Sequence, residues 1–147
     1  MRFRPLIPLA VLLAWLAACS DTNSSSSAPS VNPLLRIAGL PPANAQQVTS
    51  VRDMKDWRNP YLIVRVDGVG LLDSANNEQK LLTPDQLVAA LADLPTSAWP
   101  YGRVVAVAES TAAGSSAADK AQLRRNRALV AGTLESLHVV INWVPSA

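Results

Sequence analysis

The sequence predicts an α/β fold, a two-layer sandwich with two helices on one face of a mixed, roughly four-stranded sheet. Three observations predict it. Apolar, β-branched runs recur at 61–66, 103–108 and 139–144. Two amphipathic stretches, each opened by a helix-start signal, separate them. Asp67-Gly68 follows the first run and precedes another short apolar run, as in a β-hairpin. The order hairpin, helix, strand, helix, strand calls for parallel strands joined by crossovers. Two helices with one apolar face each are satisfied by covering one face of that sheet.

Ahead of the sheet, 34–42 is a short apolar piece ending in Pro41-Pro42. In 45–57, Val48, Val51 and Met54 recur at three-residue spacing, which predicts a short helix before Asn59-Pro60. The first strand, 61–66, lies between Pro60 and Asp67-Gly68. Asp67-Gly68 reads as a type I′ turn, with 69–72 as the returning strand and 73–80 as a loop. Thr83 is then an N-cap, Pro84 the first helical residue, and Gln86 completes a capping box. Leu87, Leu91 and Leu94 make the apolar face of that helix, and Pro95 ends it.

Residues 99–102 form a turn. The run from Arg103 to Ala108 is continuously apolar after its first residue, as expected of a strand buried on both faces. The small residues 109–116 follow. Ser116 and Asp119 have capping spacing for a long helix reaching about Leu137, striped by Leu123, Val130, Leu134 and Leu137. The last strand is 139–144.

The domain organisation follows. Residues 1–18 are a leader, 19–33 a tether, 34–60 an N-terminal extension with its short helix, and 61–147 the α/β domain. Arg2 and Arg4 precede an apolar core too short for the roughly 20 residues of a bilayer-spanning helix. Leu16-Ala17-Ala18-Cys19 closes it. This stretch resembles the lipobox of bacterial lipoproteins, small residues before an acceptor cysteine. The resemblance implies a diacylglycerol thioether on Cys19, cleavage before it, and acylation of the new amino terminus. Two or more acyl chains anchor stably where one is marginal. Ser20, rather than an aspartate, at the next position implies the outer membrane, facing the periplasm. The polar stretch 20–33 would reach roughly 20 Å as a coil, enough to clear lipid headgroups.

The same leader settles the charge. Arg2 and Arg4 account for the whole formal charge of +2, so the mature chain is balanced and gives no electrostatic reason to bind nucleic acid. With Cys19 acylated, no thiol remains for a disulfide, thiolate catalysis or a cysteine metal site. His138 is the sole histidine, so no histidine cluster can hold a metal. No cofactor is expected.

One residue of the long helix stands out. At about 100° per residue, Arg127 falls roughly 40° from Leu123, inside the apolar stripe. It is either a snorkelling cation whose stem covers core or a guanidinium held so that it can fork onto a carboxylate. The buried strand, the small-residue loop and a helix carrying Leu123, Arg127 and Ala128 together resemble the OmpA-like peptidoglycan-binding domain of the peptidoglycan-associated lipoproteins. In that family an arginine and an aspartate hold the diaminopimelate group of the wall peptide. Arg127 stands at the arginine and Gly114-Ser115 at the family's Gly-Ser. Thr111 stands where the family has its aspartate, Lys120 or a neighbour at its asparagine, and Arg124 at its serine. The resemblance implies ligand contacts from Arg127, Thr111 and Ser115. A second, smaller resemblance, of 100–105 to the periplasmic domains of biopolymer-transport proteins, lacks their transmembrane aspartate helix.

The expected function is that of a non-enzymatic, lipid-anchored envelope protein that docks to peptidoglycan or to another envelope protein. The alternative is a protein–protein adaptor without wall affinity, reading its partner through a sheet edge or through Trp57, Trp99 or Trp143. A serine hydrolase using Ser110 and His138 is more distant, because no Gly-x-Ser-x-Gly elbow surrounds Ser110. Asp67 and Glu109, at strand ends, are a further carboxylate pair with acid–base potential.

Overall fold

The computed structural model describes residues 32–72 and 78–145. The expected leader, Cys19 and the tether up to residue 31 lie outside the described residues, as does most of the expected loop 73–80. The chain is a mixed α/β sandwich. Its elements run α1 (Pro33–Ala38), α2 (Ala45–Ser50), β1 (Tyr61–Arg65), β2 (Gly68–Leu72), β3 (Gln79–Leu82), α3 (Leu87–Asp93), β4 (Val104–Glu109), α4 (Ala117–Ser136) and β5 (Val140–Trp143). The sheet order is β3-β2-β1-β4-β5. Strands β1, β4 and β5 are parallel neighbours, and β2 and β3 continue the sheet as an antiparallel meander.

The sheet therefore has five strands rather than four. Strand β3 was expected to be loop through Lys80, because Gln79-Lys80-Leu81-Leu82 places two polar residues before two apolar ones and has no period-2 pattern. It forms as an edge strand with three of its four residues exposed, so pairing to β2 defines it rather than burial.

The hairpin turn also differs. Its two loop residues are Val66 and Asp67, with Arg65 opposite Gly68, and neither loop residue has positive φ, so the turn is not type I′. Gly68 opens β2 instead, at φ 150°, where a Cβ would come within 2.5 Å of the Leu82 carbonyl oxygen. The glycine is needed for the close approach of β3.

Both helix starts form as the caps dictate. The Gln86 side chain accepts from the Thr83 amide at 3.1 Å, and one 3-10 turn, Pro84–Gln86, leads into α3. Ser116 accepts from the Asp119 amide at 3.1 Å while the Asp119 carboxylate accepts from the Ser116 amide at 3.0 Å. Each box satisfies amides that the first helical turn leaves open.

Alternation along β1, β2 and β4 sends Leu62, Val64, Val69, Leu71, Val105 and Val107 to one face. There they form a single core with Leu87 and Leu91 of α3, Leu123, Val130 and Leu134 of α4, and Ile37 of α1. The opposite face is covered differently. Trp57 packs on Val104 and Ala106 with Val48, Val51, Met54, Tyr61 and Tyr101 around it. Segment 32–60 thus lies in the same compact unit as the sheet, with α1 against α3 and the rest across the second face.

Hydrogen bonds hold that second cover. The buried Asn59 amide donates to the Gly102 and Val104 carbonyls, both at 2.7 Å, and its oxygen accepts from the Tyr101 amide at 2.8 Å. The Arg103 and Asn44 amides donate to the Pro41 and Tyr101 carbonyls. Gly102, at φ 76°, has the Pro42 carbonyl oxygen where a Cβ would stand, 2.1 Å away.

Candidate functional site

The parallel strands end together at the edge where β4 runs into loop 110–116 and β5 into Val144. Carboxyl ends of parallel strands are where α/β sheets commonly place ligands. Glu109 ends β4 opposite Val64, and Trp143 ends β5 opposite Val107, so both side chains fall on the helix-covered face. Helix α4 crosses above them and presents Arg127. Its guanidinium donates to the Glu109 carboxylate at 2.5 Å and lies 4.3 Å from the centroid of the Trp143 ring. The result is a stack of carboxylate, guanidinium and indole on three elements.

Arg127 does not lie within the buried stripe. Its side chain is 48% exposed, and the polar residue inside the stripe is its neighbour Asn126. The Asn126 amide donates to the Arg65 and Val66 carbonyls at 2.7 and 3.2 Å, and its oxygen accepts from Gln122 at 2.9 Å. Asn126 pins α4 to the end of β1 and the β1–β2 turn. The one uncharged residue in the run Arg124-Arg125-Asn126-Arg127 was the available signal for this.

The other expected site residues are close in sequence but not joined to Arg127. Thr111 is exposed, and among the described residues its side chain has no hydrogen-bond partner. Ser115 donates to the Ala112 carbonyl at 2.6 Å, closing its own loop. The carboxylates of Asp67 and Glu109 are each taken by an arginine. Asp67 accepts from Arg65 Nε at 2.8 Å and Nη2 at 3.1 Å, and these bonds hold its carboxyl below the usual carboxylate range. Ser110 and His138 sit at opposite ends of the parallel strands. Ser110 follows β4, whereas His138 precedes β5 beside the start of β4, roughly 20 Å of strand away. No triad can form between them.

The tryptophans separate cleanly. Trp57 and Trp99 are buried in the two cores, and Trp143 is 39% exposed. Two clefts lie elsewhere. One, of about 910 Å³, opens at the other end of the sheet between β2, β3 and α3, lined by Arg58, Leu71, Lys80, Asp93 and Leu94 among others. A smaller one, of about 260 Å³, lies between α1 and α3. Arg127 lines neither. Among the described residues no group of three or more His, Cys, Asp or Glu could hold a metal ion, and no helix is long and apolar enough to cross a membrane.

No protein-family model matches the chain, and neither a curated protein nor a solved structure is significantly similar to it.

Proposed function

We propose that this chain is a lipid-anchored protein of the bacterial cell envelope, attached through Cys19 and facing the periplasm, that docks without catalysis to another envelope component. The lipobox-like stretch Leu16-Ala17-Ala18-Cys19 supports the anchor. The observation that carries the docking reading is the stack of Glu109, Arg127 and Trp143 at the carboxyl edge of the sheet. It is a half-exposed cation on an aromatic platform, away from the two clefts of the fold. Such a surface suits a protein partner, since exposed arginine and tryptophan are the side chains most often found at the energetic centre of interfaces.

Peptidoglycan is the second reading, and the exposure of Arg127 favours it. An exposed ion pair contributes only about 0–1 kcal/mol. A wall-peptide carboxylate could therefore replace Glu109 on the guanidinium, with Thr111 and Ser115 lining the same edge.

A sacculus pull-down with the full chain in detergent, beside Arg127→Ala, separates the two targets. Retention lost on the substitution supports the wall. No retention of either protein leaves the protein partner, and retention of both equally removes Arg127 from the contact. The anchor is tested by palmitate labelling, which Cys19→Ser should abolish. Labelling that persists in that variant would sink the anchor.

A further inference from the structure

The two edges of the sheet are not alike. Edge strand β3 carries Lys80 and begins with exposed polar residues, devices that discourage strand addition. Edge strand β5 carries none. Val140-Ile141-Asn142-Trp143 has no charge, no proline and no break in pairing, and Val140 is 52% exposed. The amides of Val140 and Val144 donate inward to the Arg103 and Val107 carbonyls of the β4 side. By alternation, the amides and carbonyls of Ile141 and Trp143 point outward, and among the described residues neither amide has a hydrogen-bond partner. An open row of this kind is a template for another strand.

We propose that β5 pairs antiparallel with β5 of a second copy of this chain, about a two-fold axis through Asn142, joining two sheets into one. This goes beyond the docking reading and does not depend on it. The strand is complementary to itself in that register. Ile141 faces the partner's Trp143, and Trp143 faces the partner's Ile141. Each such pair exchanges both of its outward hydrogen bonds. Their side chains lie on the helix-covered face, and an aromatic opposite a β-branched residue is a favourable cross-strand pair. On the other face Asn142 meets the partner's Asn142 and Val140 meets the partner's Val144. Pro145, which lacks an amide hydrogen, ends the ladder after Val144.

Charge agrees with the same symmetry. An axis perpendicular to the sheet keeps both α4 helices on one side, running antiparallel. The flank of α4 toward β5 carries Lys120 and Arg124 in its first half and Glu135 in its last turn, all exposed and unpaired. Antiparallel order brings the basic end of one helix toward the acidic end of the other, whereas parallel order would oppose like charges. The junction rests on a strand of four residues, where a stable complex buries roughly 1,000 Å² or more, so a reversible association is expected and trapping is the appropriate readout.

The test uses the full chain purified in detergent, treated with a copper oxidant and run on a non-reducing gel. In Asn142→Cys the two introduced thiols lie across a non-hydrogen-bonded pair, with Cα atoms about 4.5 Å apart, within the roughly 4.4–6.8 Å a disulfide requires. The expected result is a species of doubled mass that a reductant removes. The double variant Val140→Cys/Val144→Cys should give the same species by an independent pair. Val140→Cys alone should not, because the two equivalent residues are then offset by about 13 Å at roughly 3.3 Å per residue. Wild type, whose sole cysteine is Cys19, and Lys80→Cys on the other edge should also stay monomeric. No dimer from either Asn142→Cys or the double variant overturns the proposal. A dimer from only one of them overturns the register, and a Lys80→Cys dimer of equal yield shows random collision and overturns it as well.

Discussion

The two faces of the sheet are buried by different physical means. The helix-covered face is closed by apolar contact. Leu62, Val64, Val105 and Val107 meet Leu87, Leu91, Leu123, Val130 and Leu134, with Asn126 the one buried polar side chain there among the described residues, bound to the β1–β2 turn at the margin. The other face is closed by the segment 41–60, with its short helix α2, whose few apolar side chains gather round Trp57, and whose position is fixed by Asn59, Asn44 and the carbonyl of Pro41. Contact is proportional to area and indifferent to direction, whereas a buried hydrogen bond is specific in direction and costly to leave unmade. One face should therefore tolerate apolar exchange of equal volume and the other should not tolerate loss of a single amide.

The largest effect is expected on the apolar face. Leu134 is fully buried, and Leu134→Ala should cost about 2–5 kcal/mol of unfolding free energy in a denaturant titration, the range for a cavity left in a core. Leu134→Met should cost less than about 1.5 kcal/mol. The second face is probed by Asn59→Ala, which takes their Asn59 partner from the Tyr101 amide and the Val104 carbonyl and leaves the Gly102 carbonyl with the Val104 amide alone. A loss of about 2–3 kcal/mol is expected, with the near-ultraviolet signal of Trp57 changed, since Trp57 sits edge-on to Tyr101 at 5.3 Å. A loss below about 0.5 kcal/mol would erase the distinction between the faces.

The smallest effect is at the start of α4. Ser116→Ala should cost about 1 kcal/mol through the lost cap. It should also soften the acid limb of the stability curve. The Ser116 hydroxyl, with its amide, holds the Asp119 carboxyl below its ordinary value, so Asp119 binds its proton more readily in the unfolded chain. Its contribution is present above the unfolded carboxylate value of about 4 and is lost as pH falls through the lowered one. Wild type should therefore lose more stability than Ser116→Ala between about pH 4 and pH 2. Equal slopes would show that the hydroxyl does not set the carboxyl.

The same contrast explains what could be read from the chain. Strands β1 and β4, both capping boxes, and the stripe Leu123, Val130 and Leu134 were legible because periodicity and capping are local signals that apolar packing then rewards. Strand β3 was not, because an exposed edge strand has no burial pattern to display. The cover over Val104 and Ala106 was not, because Asn59 acts across more than forty residues through its amide, and nothing in the sequence nearby marks that reach. At the candidate site, Arg127 is exposed where its helical angle predicts burial. Helical angle placed it near the core, while Glu109 and Trp143, each noted separately, could be joined to it only by knowing that β4 and β5 are neighbours.

The way the chain enters the fold has a mechanical side. Helix α1 is six residues long, holds on through the buried Ile37 and an exposed Arg36–Asp93 pair, and is the first described element. A pull applied through the amino terminus would reach α1 before it reaches the Asn59 pin or any strand of the sheet. Peeling one short helix breaks its contacts in sequence rather than all at once. Under such a load α1 would therefore yield first as a sacrificial link while β1, β4 and β5 stay paired.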